Sequence, residues 1–441
     1  MSRRWYLTLR LSSIFVWAAA LAACAPGNEV LLASPPGEPA APAAPFAPQP
    51  AAALDKWALW AGGTQLRGAN IWQRIVVSDL DGPDFLGSGY VGPPYTQEDF
   101  DRLAALGANY VNISHPGLFT ERPPYVLDEE VQANLDRLLE MAVNADLFVV
   151  ITFRTGAGRS DFTFYRDGAG DWFEPDLLIE WVWSDAAAQD AWVEMWRYTA
   201  ERYKDNPVVV GYDLMCEPNS DDVALGIYDA EEFYPQYAGS MYDWNVFYPR
   251  LVAAIRAVDV ETPILVSSMG WGNLAWLSSL EPLDDAHIVY AFHQYEPHEY
   301  THQEVGEGRS YPGRFDADYD GSADVFDQAW LEDWLAIGGD FTSQHGAPLA
   351  VNEYGVTRWA PGAAAFMRDE MTSFEQYGWN YALWVWGPAW EAWTQNVNDF
   401  NFRFGPDPEN YTDVTSSDLI EVITDFWARN TLRPSDFASN P

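Results

Sequence analysis

The chain has 441 residues and a formal net charge of −41 at pH 7, because 65 acidic residues outnumber 24 lysines and arginines. A charge this negative repels nucleic acids and anionic membrane surfaces, so neither is expected as a partner. Hydrophobic residues make up 48% of the chain, which excludes a disordered protein, and the length suits one large domain or two ordinary ones.

The N-terminus has the pattern of an export segment. In residues 1–24, arginines lead, an apolar run follows, and small residues precede Cys24. This pattern predicts a signal peptide and not a membrane-spanning helix. The ending LAAC resembles a bacterial lipobox, which implies cleavage before Cys24 and attachment of lipid to it; an ordinary secretory signal is the alternative, and the paired arginines leave Sec and twin-arginine export open. We therefore expect an exported protein, lipid-anchored to the outer face of a bacterial membrane or secreted.

A linker and one domain follow. Residues 25–53 are mostly proline and alanine and show no periodicity, which predicts a semi-extended linker. The globular domain is expected over 54–432, with 433–441 as a C-terminal tail. If Cys24 carries lipid, Cys216, the second of the two cysteines, has no disulfide partner.

Eight apolar runs occur along the globular part, and strands that are buried on both faces have this pattern. The runs cover residues 64–71, 109–114, 147–153, 208–215, 263–268, 287–295, 348–354 and 380–386. Helical patterns lie between them, such as the one that Thr96 opens as an N-cap and Gly107 closes. This alternation predicts an α/β fold, specifically a (β/α)8 TIM barrel. An open doubly wound sheet is the alternative, but no glycine-rich phosphate loop follows the first run.

Two of the predicted strands end in glutamates. Glu217 follows the fourth run, and Glu353 stands at the end of the seventh. A carboxylate beside a buried strand is costly unless it reaches the barrel mouth or a partner, and these two strands face each other across a barrel. Paired carboxylates about 5 Å apart are the arrangement for retaining glycoside hydrolysis. We therefore predict that the pair is catalytic and not two stray loop acids.

The residues around these glutamates resemble glycoside hydrolase family 5, the cellulase family of clan A. The resemblance extends from Leu66 to about Asn430 and rests on four motifs, DLMCEPN, AVNEYG, AFHQYEP and LWVWGP. It implies that Glu217 is the acid/base and Glu353 the nucleophile. It also implies hydrolysis of a β-linked oligo- or polysaccharide of the β-glucan or mannan kind, without a cofactor for catalysis, and a monomer is expected.

The same resemblance implies residues that contact the substrate. Tyr295 would hold the nucleophile by a hydrogen bond, and His293 would line the acid/base side. A tryptophan after the eighth strand would form the floor under the −1 sugar. Trp384 and Trp386 share parity on that strand, so spacing does not choose between them.

Three positions depart from the family pattern. Asn112 stands where the family has arginine, Arg154 where it has histidine, and Cys216 where it has the asparagine that bonds the sugar 2-hydroxyl. A thiol is a poor donor and a weak acceptor. One interpretation is a divergent enzyme in which Arg154 restores the lost positive charge; the other is a catalytically inactive, cell-surface glycan-binding lipoprotein. We retain all three as candidate substrate-binding residues, although a buried hydrophobic role also suits Cys216.

Tryptophans also concentrate in the predicted loops. Flat rings in an open groove suit the apolar faces of sugars, and core packing under long loops is the alternative. The loop tryptophans are Trp72, Trp172, Trp181, Trp183, Trp271, Trp276, Trp359, Trp390 and Trp393.

Residues 316–327, DADYDGSADVFD, resemble an EF-hand or dockerin-type calcium loop. The candidate ligands are Asp316, Asp318, Asp320, Asp324 and Asp327. A solvated acidic loop is the alternative. A calcium ion here would stiffen the loop and take no part in the chemistry.

Overall fold

The computed structural model describes residues 54–82, 90–388 and 395–437. The predicted signal peptide with Cys24 and the predicted linker lie outside these ranges, as do Trp390 and Trp393. Within the described ranges, no helix combines the length and the apolar character that crossing a membrane requires.

Eight parallel strands form a closed barrel. They are β1 Arg67–Trp72, β2 Tyr110–His115, β3 Phe148–Phe153, β4 Val209–Asp213, β5 Ile264–Ser267, β6 Ile288–Gln294, β7 Leu349–Tyr354 and β8 Asn380–Leu383. Each strand pairs with the next in chain order, and β1 also pairs with β8, which closes the sheet. The predicted (β/α)8 barrel is confirmed, and every predicted apolar run overlaps one barrel strand.

Long helices surround the barrel. They are α1 Gln97–Ala105, α2 Glu129–Asn144, α3 Ala186–Tyr203, α4 Trp244–Arg256, α5 Gln328–His345, α6 Ala363–Tyr377 and α7 Asp418–Trp427. Thr96 caps α1 as predicted, because its side chain accepts the backbone N–H of Asp99. Between β5 and β6 the chain forms only short turns, with a 3-10 helix at Leu274–Ser279.

Short elements fill the loops. Further helical segments are Ala58–Ala61, Ser78–Asp81, Ser220–Val223, Ala230–Tyr237, Met269–Gly272, His298–Thr301 and Gln395–Phe400. Further 3-10 helices are Asp161–Gly168, Pro175–Leu177, Trp181–Trp183, Phe402–Phe404 and Pro434–Asp436. Two antiparallel ribbons pair Arg74–Ile75 with Val91–Gly92, and Gly313–Phe315 with Asp324–Phe326. Many of these elements lie after the carboxyl ends of strands, where barrel enzymes build their sites.

The N-terminal end of the barrel is plugged by apolar side chains. The Trp60 indole is buried there and donates a hydrogen bond to the carbonyl of Val210 at 2.9 Å. Residues 433–437, predicted as part of a tail, also pack at this end, since the ring of Phe437 lies 6.3 Å from that of Phe148. This end is therefore packed as part of the hydrophobic core.

A polar layer crosses the barrel interior. Asn112 donates to the side-chain oxygen of Asn70 at 2.7 Å and accepts from the Thr152 hydroxyl at 2.6 Å. The Asn352 amide donates to the Asp213 carboxylate. Asp213 is fully buried, and burial raises its pKa to about 7. The side chain just before Glu353 in β7 is thus tied to the end of β4.

Candidate active site

The carboxyl ends of the strands open into a cavity of about 710 Å³. Both predicted catalytic glutamates lie in its wall, so the structure brings together two residues that are 136 positions apart in the chain. The lining residues are Arg154, Phe164, Tyr165, Glu217, Gly270, Trp271, Asn273, His293, Tyr295, Glu296, His298, His302, Tyr319, Glu353, Trp384, Val397 and Phe400.

Glu217 lies on a loop and not in a strand. β4 ends at Asp213, and Glu217 adopts a left-handed backbone with φ of 54°. This conformation costs a non-glycine residue on the order of 1–3 kcal/mol and persists where the surroundings hold it. The Arg159 guanidinium provides that support by donating to the carbonyls of Cys216 and Glu217 at 2.7 and 2.8 Å.

Glu353 lies within β7 and is almost completely buried, with 4% of its side chain exposed. The Tyr295 hydroxyl donates a hydrogen bond to its Oε2 at 3.2 Å. This is the contact that the family resemblance implies for Tyr295.

His293 contacts both carboxylates. Its Nδ1 lies 2.9 Å from Glu217 Oε1 and 3.5 Å from Glu353 Oε2. Burial alone would lower the pKa of His293, but the charges of Glu353 and Glu217 outweigh burial and raise it to about 9. His293 is therefore protonated near neutral pH, where it lies between the two carboxyl groups.

The two carboxylates have opposite pKa shifts. Burial raises the pKa of Glu353, and the negative charge of Glu217 adds to the increase. Burial also acts on Glu217, but the hydrogen bond and charge of His293, together with Arg154, outweigh it and lower the Glu217 pKa. Groups this close titrate as a unit, so the number of protons in the cluster matters more than where one proton rests.

Arg154 supplies a fixed positive charge to the cavity wall. Its Nε donates to the buried Asp161 at 2.8 Å. The guanidinium carbon lies 3.5 Å from the ring centre of Phe164 and 5.6 Å from that of Trp384. An arginine stacked and paired in this way is held in one orientation.

A family model described as cellulase, glycosyl hydrolase family 5, matches residues 65–389 of this chain. The chain belongs to glycosyl hydrolase family 5. Membership confirms the resemblance that the strand-end motifs indicated, and it places the chain in a family of glycoside hydrolases.

Curated relatives of this family 5 chain include two endoglucanases. Endoglucanase C of Acetivibrio thermocellus is 23% identical over 232 residues, which cover 50% of this chain and 59% of the relative. An endoglucanase of Paenibacillus polymyxa is 24% identical over 292 residues, 65% of this chain and 62% of the relative. An endoglycoceramidase of Cyanea nozakii is 31% identical over 122 residues, 25% of this chain and 22% of the relative. The chain thus spans less than two thirds of the length of each.

Solved structures share the fold at low sequence identity. An endoglucanase from Thermotoga maritima superposes with a TM-score of 0.58 at 18% identity, over 84% of this chain and 100% of the other. A structure described as a glycoside hydrolase gives a TM-score of 0.60 at 19% identity, over 82% of this chain and 99% of the other. At these identities the likeness concerns the barrel alone.

The thiol of Cys216 is completely buried beneath the cavity. Its Sγ lies 3.6 Å from Glu353 Oε1 and 3.7 Å from a terminal nitrogen of Arg154. Burial raises the pKa of this thiol well above its usual value, and the nearby carboxylates add to the increase. The side chain of Cys216 is covered, so the structure does not bring this predicted substrate-binding residue to the cavity wall. The protonated thiol is instead a weak donor to Glu353.

The structure also places Asn112, a predicted substrate-binding residue, away from the cavity wall. Its side chain is fully buried within the polar layer of the barrel. Asn112 lies on β2 as the sequence indicated, and its side chain bonds to Asn70 and Thr152 in the barrel interior.

The structure distinguishes the two candidate tryptophans. Trp384 lines the cavity, whereas the indole of Trp386 is buried behind it and donates to the carbonyl of Asp99 at 2.9 Å. The structure therefore brings Trp384, and not Trp386, to the cavity wall. Spacing could not choose between them, and β8 ends at Leu383, before either tryptophan.

Several site residues were missed by sequence reasoning. Arg159 and Asp161 follow β3 without a recognisable motif, and Glu296 is one acid among 65. Asn273 donates to Glu296 at 3.0 Å, and both line the cavity. Only contacts between separate loops reveal these roles.

The aspartate-rich loop brings three of its five candidate ligands together. Carboxylate oxygens of Asp316, Asp318 and Asp324 lie within 4.8 Å of one another. Asp320 and Asp327 are not part of this cluster; they accept backbone N–H groups of their own turns at 2.7 and 3.0 Å, and Asp327 caps α5. Oxygen donors suit calcium, and the three clustered carboxylates fit a partial coordination shell.

Proposed function

We propose that this family 5 chain is a retaining β-glycoside hydrolase with Glu217 as acid/base and Glu353 as nucleophile. The observation that carries the proposal is the placement of both carboxylates against one atom, His293 Nδ1, at 2.9 and 3.5 Å. Retaining enzymes hold their carboxyl groups about 5–5.5 Å apart, whereas inverting enzymes need roughly 6.5–9.5 Å to admit water. The shared contact supports the shorter spacing.

The reaction proceeds in two displacements. In the first, ionised Glu353 attacks the anomeric carbon while Glu217 gives a proton to the departing oxygen, and a glycosyl–Glu353 ester forms. In the second, Glu217 takes a proton from water, which attacks the same carbon and frees the carboxylate. Each step inverts the configuration, so the product keeps that of the substrate.

The proton required for the first step belongs to the cluster. Retaining hydrolysis needs one carboxyl group protonated and one ionised. His293 contacts both groups, so movement of a proton onto Glu217 and away from Glu353 is a local exchange within the unit. Tyr295 and the charge of Arg154 favour ionised Glu353 once that exchange has occurred.

The substrate that we propose is a neutral β-glucan or a related β-linked glycan. The names of the endoglucanase relatives support this class. Trp384 would support the −1 sugar, because its ring lies in the cavity wall beside Arg154.

The test is turnover of a panel of β-glucans, mannans, xylans and aryl β-glycosides by the domain 54–441. Glu353→Ala should abolish turnover. Glu217→Ala should lower turnover most for substrates with poor leaving groups, because these need the proton of the general acid. Azide should rescue Glu217→Ala with a β-glycosyl azide product and Glu353→Ala with the α product. Proton NMR of wild-type hydrolysis gives the anomeric configuration of the product that forms first. A product with inverted configuration contradicts the retaining mechanism.

The alternative is an inactive glycan-binding protein on the same barrel. The changes at Asn112, Arg154 and Cys216 favour it, because all three replace residues of the family pattern. Binding of glycans without turnover of any panel member would establish this alternative and exclude the hydrolase.

We also propose that the protein is exported and anchored by lipid on Cys24. The pattern of residues 1–24 supports this location. Intact-mass analysis of the membrane fraction should show a diacylglyceryl modification that Cys24→Ala removes. An unmodified protein in the medium would favour the secretory alternative.

Structural calcium at the aspartate-rich loop is a further part of this proposal. The convergence of Asp316, Asp318 and Asp324 supports it. Calorimetry of the EDTA-treated domain with added calcium should show one site, and absence of heat would identify a solvated acidic loop.

A further inference from the structure

A second cavity, of about 340 Å³, adjoins the catalytic cavity. Phe164, Tyr165 and Trp271 line both cavities, so a ligand that extends from one enters the other. We call the second cavity the outer pocket. Its lining residues are Thr163, Phe164, Tyr165, Arg166, Asp167, Trp172, Asp222, Tyr228 and Trp271.

The outer pocket is built on the loop that carries Glu217. The backbone N–H of Trp271 donates to the carbonyl of Pro218 at 3.1 Å, and its indole donates to Asp222 at 3.1 Å. Asp222 lies in the short helix Ser220–Val223, directly after the acid/base loop. Glu353 and Trp384 belong to β7 and the segment after β8. The outer pocket is therefore on the acid/base side of the site.

Two aromatic rings are exposed in this pocket. The side chain of Tyr228 is 63% exposed and that of Trp172 is 39% exposed. Trp172 is nevertheless held in place, because its ring packs against Phe173 at 4.7 Å and covers Gly168, where a Cβ would lie 1.9 Å from the indole nitrogen. Aromatic rings that are exposed and held in place are typical of binding surfaces, because a soluble protein otherwise tends to bury large apolar groups.

Arg166 of the outer pocket is paired with acidic side chains. Arg166 lies 3.3 Å from Asp222 and 3.4 Å from Glu180. Asp222 thus bonds to both Arg166 and Trp271 and keeps them in fixed positions. A pocket with aromatic faces and paired charges suits a neutral ring that carries hydroxyl groups.

We propose that the outer pocket binds a sugar ring in the departing part of a β-linked oligosaccharide. The inference rests on the proposed function, because the general acid protonates the oxygen of the departing part and the outer pocket adjoins the loop that carries Glu217. It assigns Trp172 and Tyr228 as the contacts that make a chain, rather than a single glycoside, the preferred substrate. The alternative occupant of the pocket is an apolar aglycone, and the binding experiment below distinguishes it from a sugar ring.

The kinetic test compares substrates with the same glycone and different departing parts. For Trp172→Ala and Tyr228→Ala, kcat/KM should fall about three- to tenfold for the hexasaccharide that is turned over. The fall should be smaller for the matching 2,4-dinitrophenyl disaccharide. Val260→Ala is the control, since this side chain is exposed on the loop before β5, at the opposite end of the barrel. Equal losses for both substrates, or no loss, overturn the proposal.

A binding test separates this inference from the proposed function. Full-length Glu217→Gln is titrated by calorimetry with cello-, laminari-, manno- and xylohexaose, and with octyl β-glucoside. The affinity of at least one hexasaccharide should fall when Trp172→Ala is added. If the wild type turns over no substrate but hexasaccharide affinity still depends on Trp172, the hydrolase proposal is wrong and the pocket assignment is supported. Absence of binding to every hexasaccharide, or dependence on Trp172 for the octyl glucoside alone, overturns the pocket assignment.

Discussion

At the residue scale, His293 links the two carboxylates and controls their protons. Its Nδ1 lies within 4 Å of a carboxylate oxygen of Glu217 and of Glu353. A neutral imidazole would remove the positive charge that contacts both carboxyl groups and leave mainly Arg154 to offset their repulsion. The charge on His293 therefore decides the pH range in which the site is intact.

We expect activity to fall as pH rises through about 9. The neighbouring carboxylates raise the pKa of His293 to about 9, so the imidazolium is present below that value and its proton is lost above it. Profiles of kcat/KM between pH 5 and 10.5 should show an alkaline limb near 9, which moves in His293→Gln. His345→Gln, at the exposed end of α5, is the control. An alkaline limb near 6.5 in the wild type contradicts the assignment.

We expect Cys216→Ala to retain most activity. The thiol makes one weak hydrogen bond to Glu353, worth about 1 kcal/mol, so kcat should fall less than about tenfold. Glu353→Ala, measured in parallel, should lose activity by several orders of magnitude. A comparable loss in Cys216→Ala would make the cysteine essential, and unchanged folding by circular dichroism would confirm that the loss is chemical.

At the element scale, the aspartate-rich loop is connected to the cavity wall through Tyr319. The Tyr319 hydroxyl donates to Glu296 at 3.0 Å and accepts the backbone N–H of His298 at 3.0 Å. Glu296 and Tyr319 both line the cavity. The loop that resembles a calcium site thus contacts a wall of the cavity.

We expect chelation to lower the melting temperature and to raise KM more than it lowers kcat. At a calcium concentration 100 times the Kd, binding stabilises the fold by about 2.7 kcal/mol, and EDTA removes this contribution. Asp318→Asn should lose the response in differential scanning calorimetry, whereas Asp333→Asn, exposed on α5, should keep it. Equal melting temperatures with and without calcium would refute the coupling.

At the scale of the whole molecule, the two ends of the barrel have different tasks. The carboxyl ends of the strands carry the cavity, and the amino ends are sealed by Trp60 and its apolar neighbours. Gly211 shows how closely this plug fits, because a Cβ there would lie 2.8 Å from Leu265 and 3.4 Å from Trp60. Stability and catalysis can therefore be changed separately.

We expect Trp60→Ala to destabilise the domain by about 3–5 kcal/mol and to leave kcat/KM unchanged at 25 °C. The reason is that the substitution opens a cavity at the end remote from the site and breaks the hydrogen bond to Val210. Trp384→Ala should show the reverse, with a large loss of activity and a smaller loss of stability. Urea unfolding and steady-state kinetics on both variants check this separation.

The sequence by itself determined the barrel and predicted a pair of glutamates that the structure brings to one cavity. Strands buried on both faces must be apolar throughout, so all eight appeared as uninterrupted runs, and a polar residue at a strand end is conspicuous against them. For that reason the sequence alone was enough to single out Glu217, Glu353 and the motif residues His293 and Tyr295. The composition of the aspartate-rich loop was equally plain, because its ligands are local in sequence.

Only the tertiary structure decided which of the remaining residues reach the cavity. Asn112, within β2, and Cys216, after β4, have buried side chains that do not line the cavity, and Trp386 is buried behind the cavity wall after β8 has ended. The Arg154–Asp161 pair and the outer pocket depend on distances between separate loops. Local patterns report burial and periodicity, whereas side-chain direction and loop contact arise from packing, and no window of sequence contains that information.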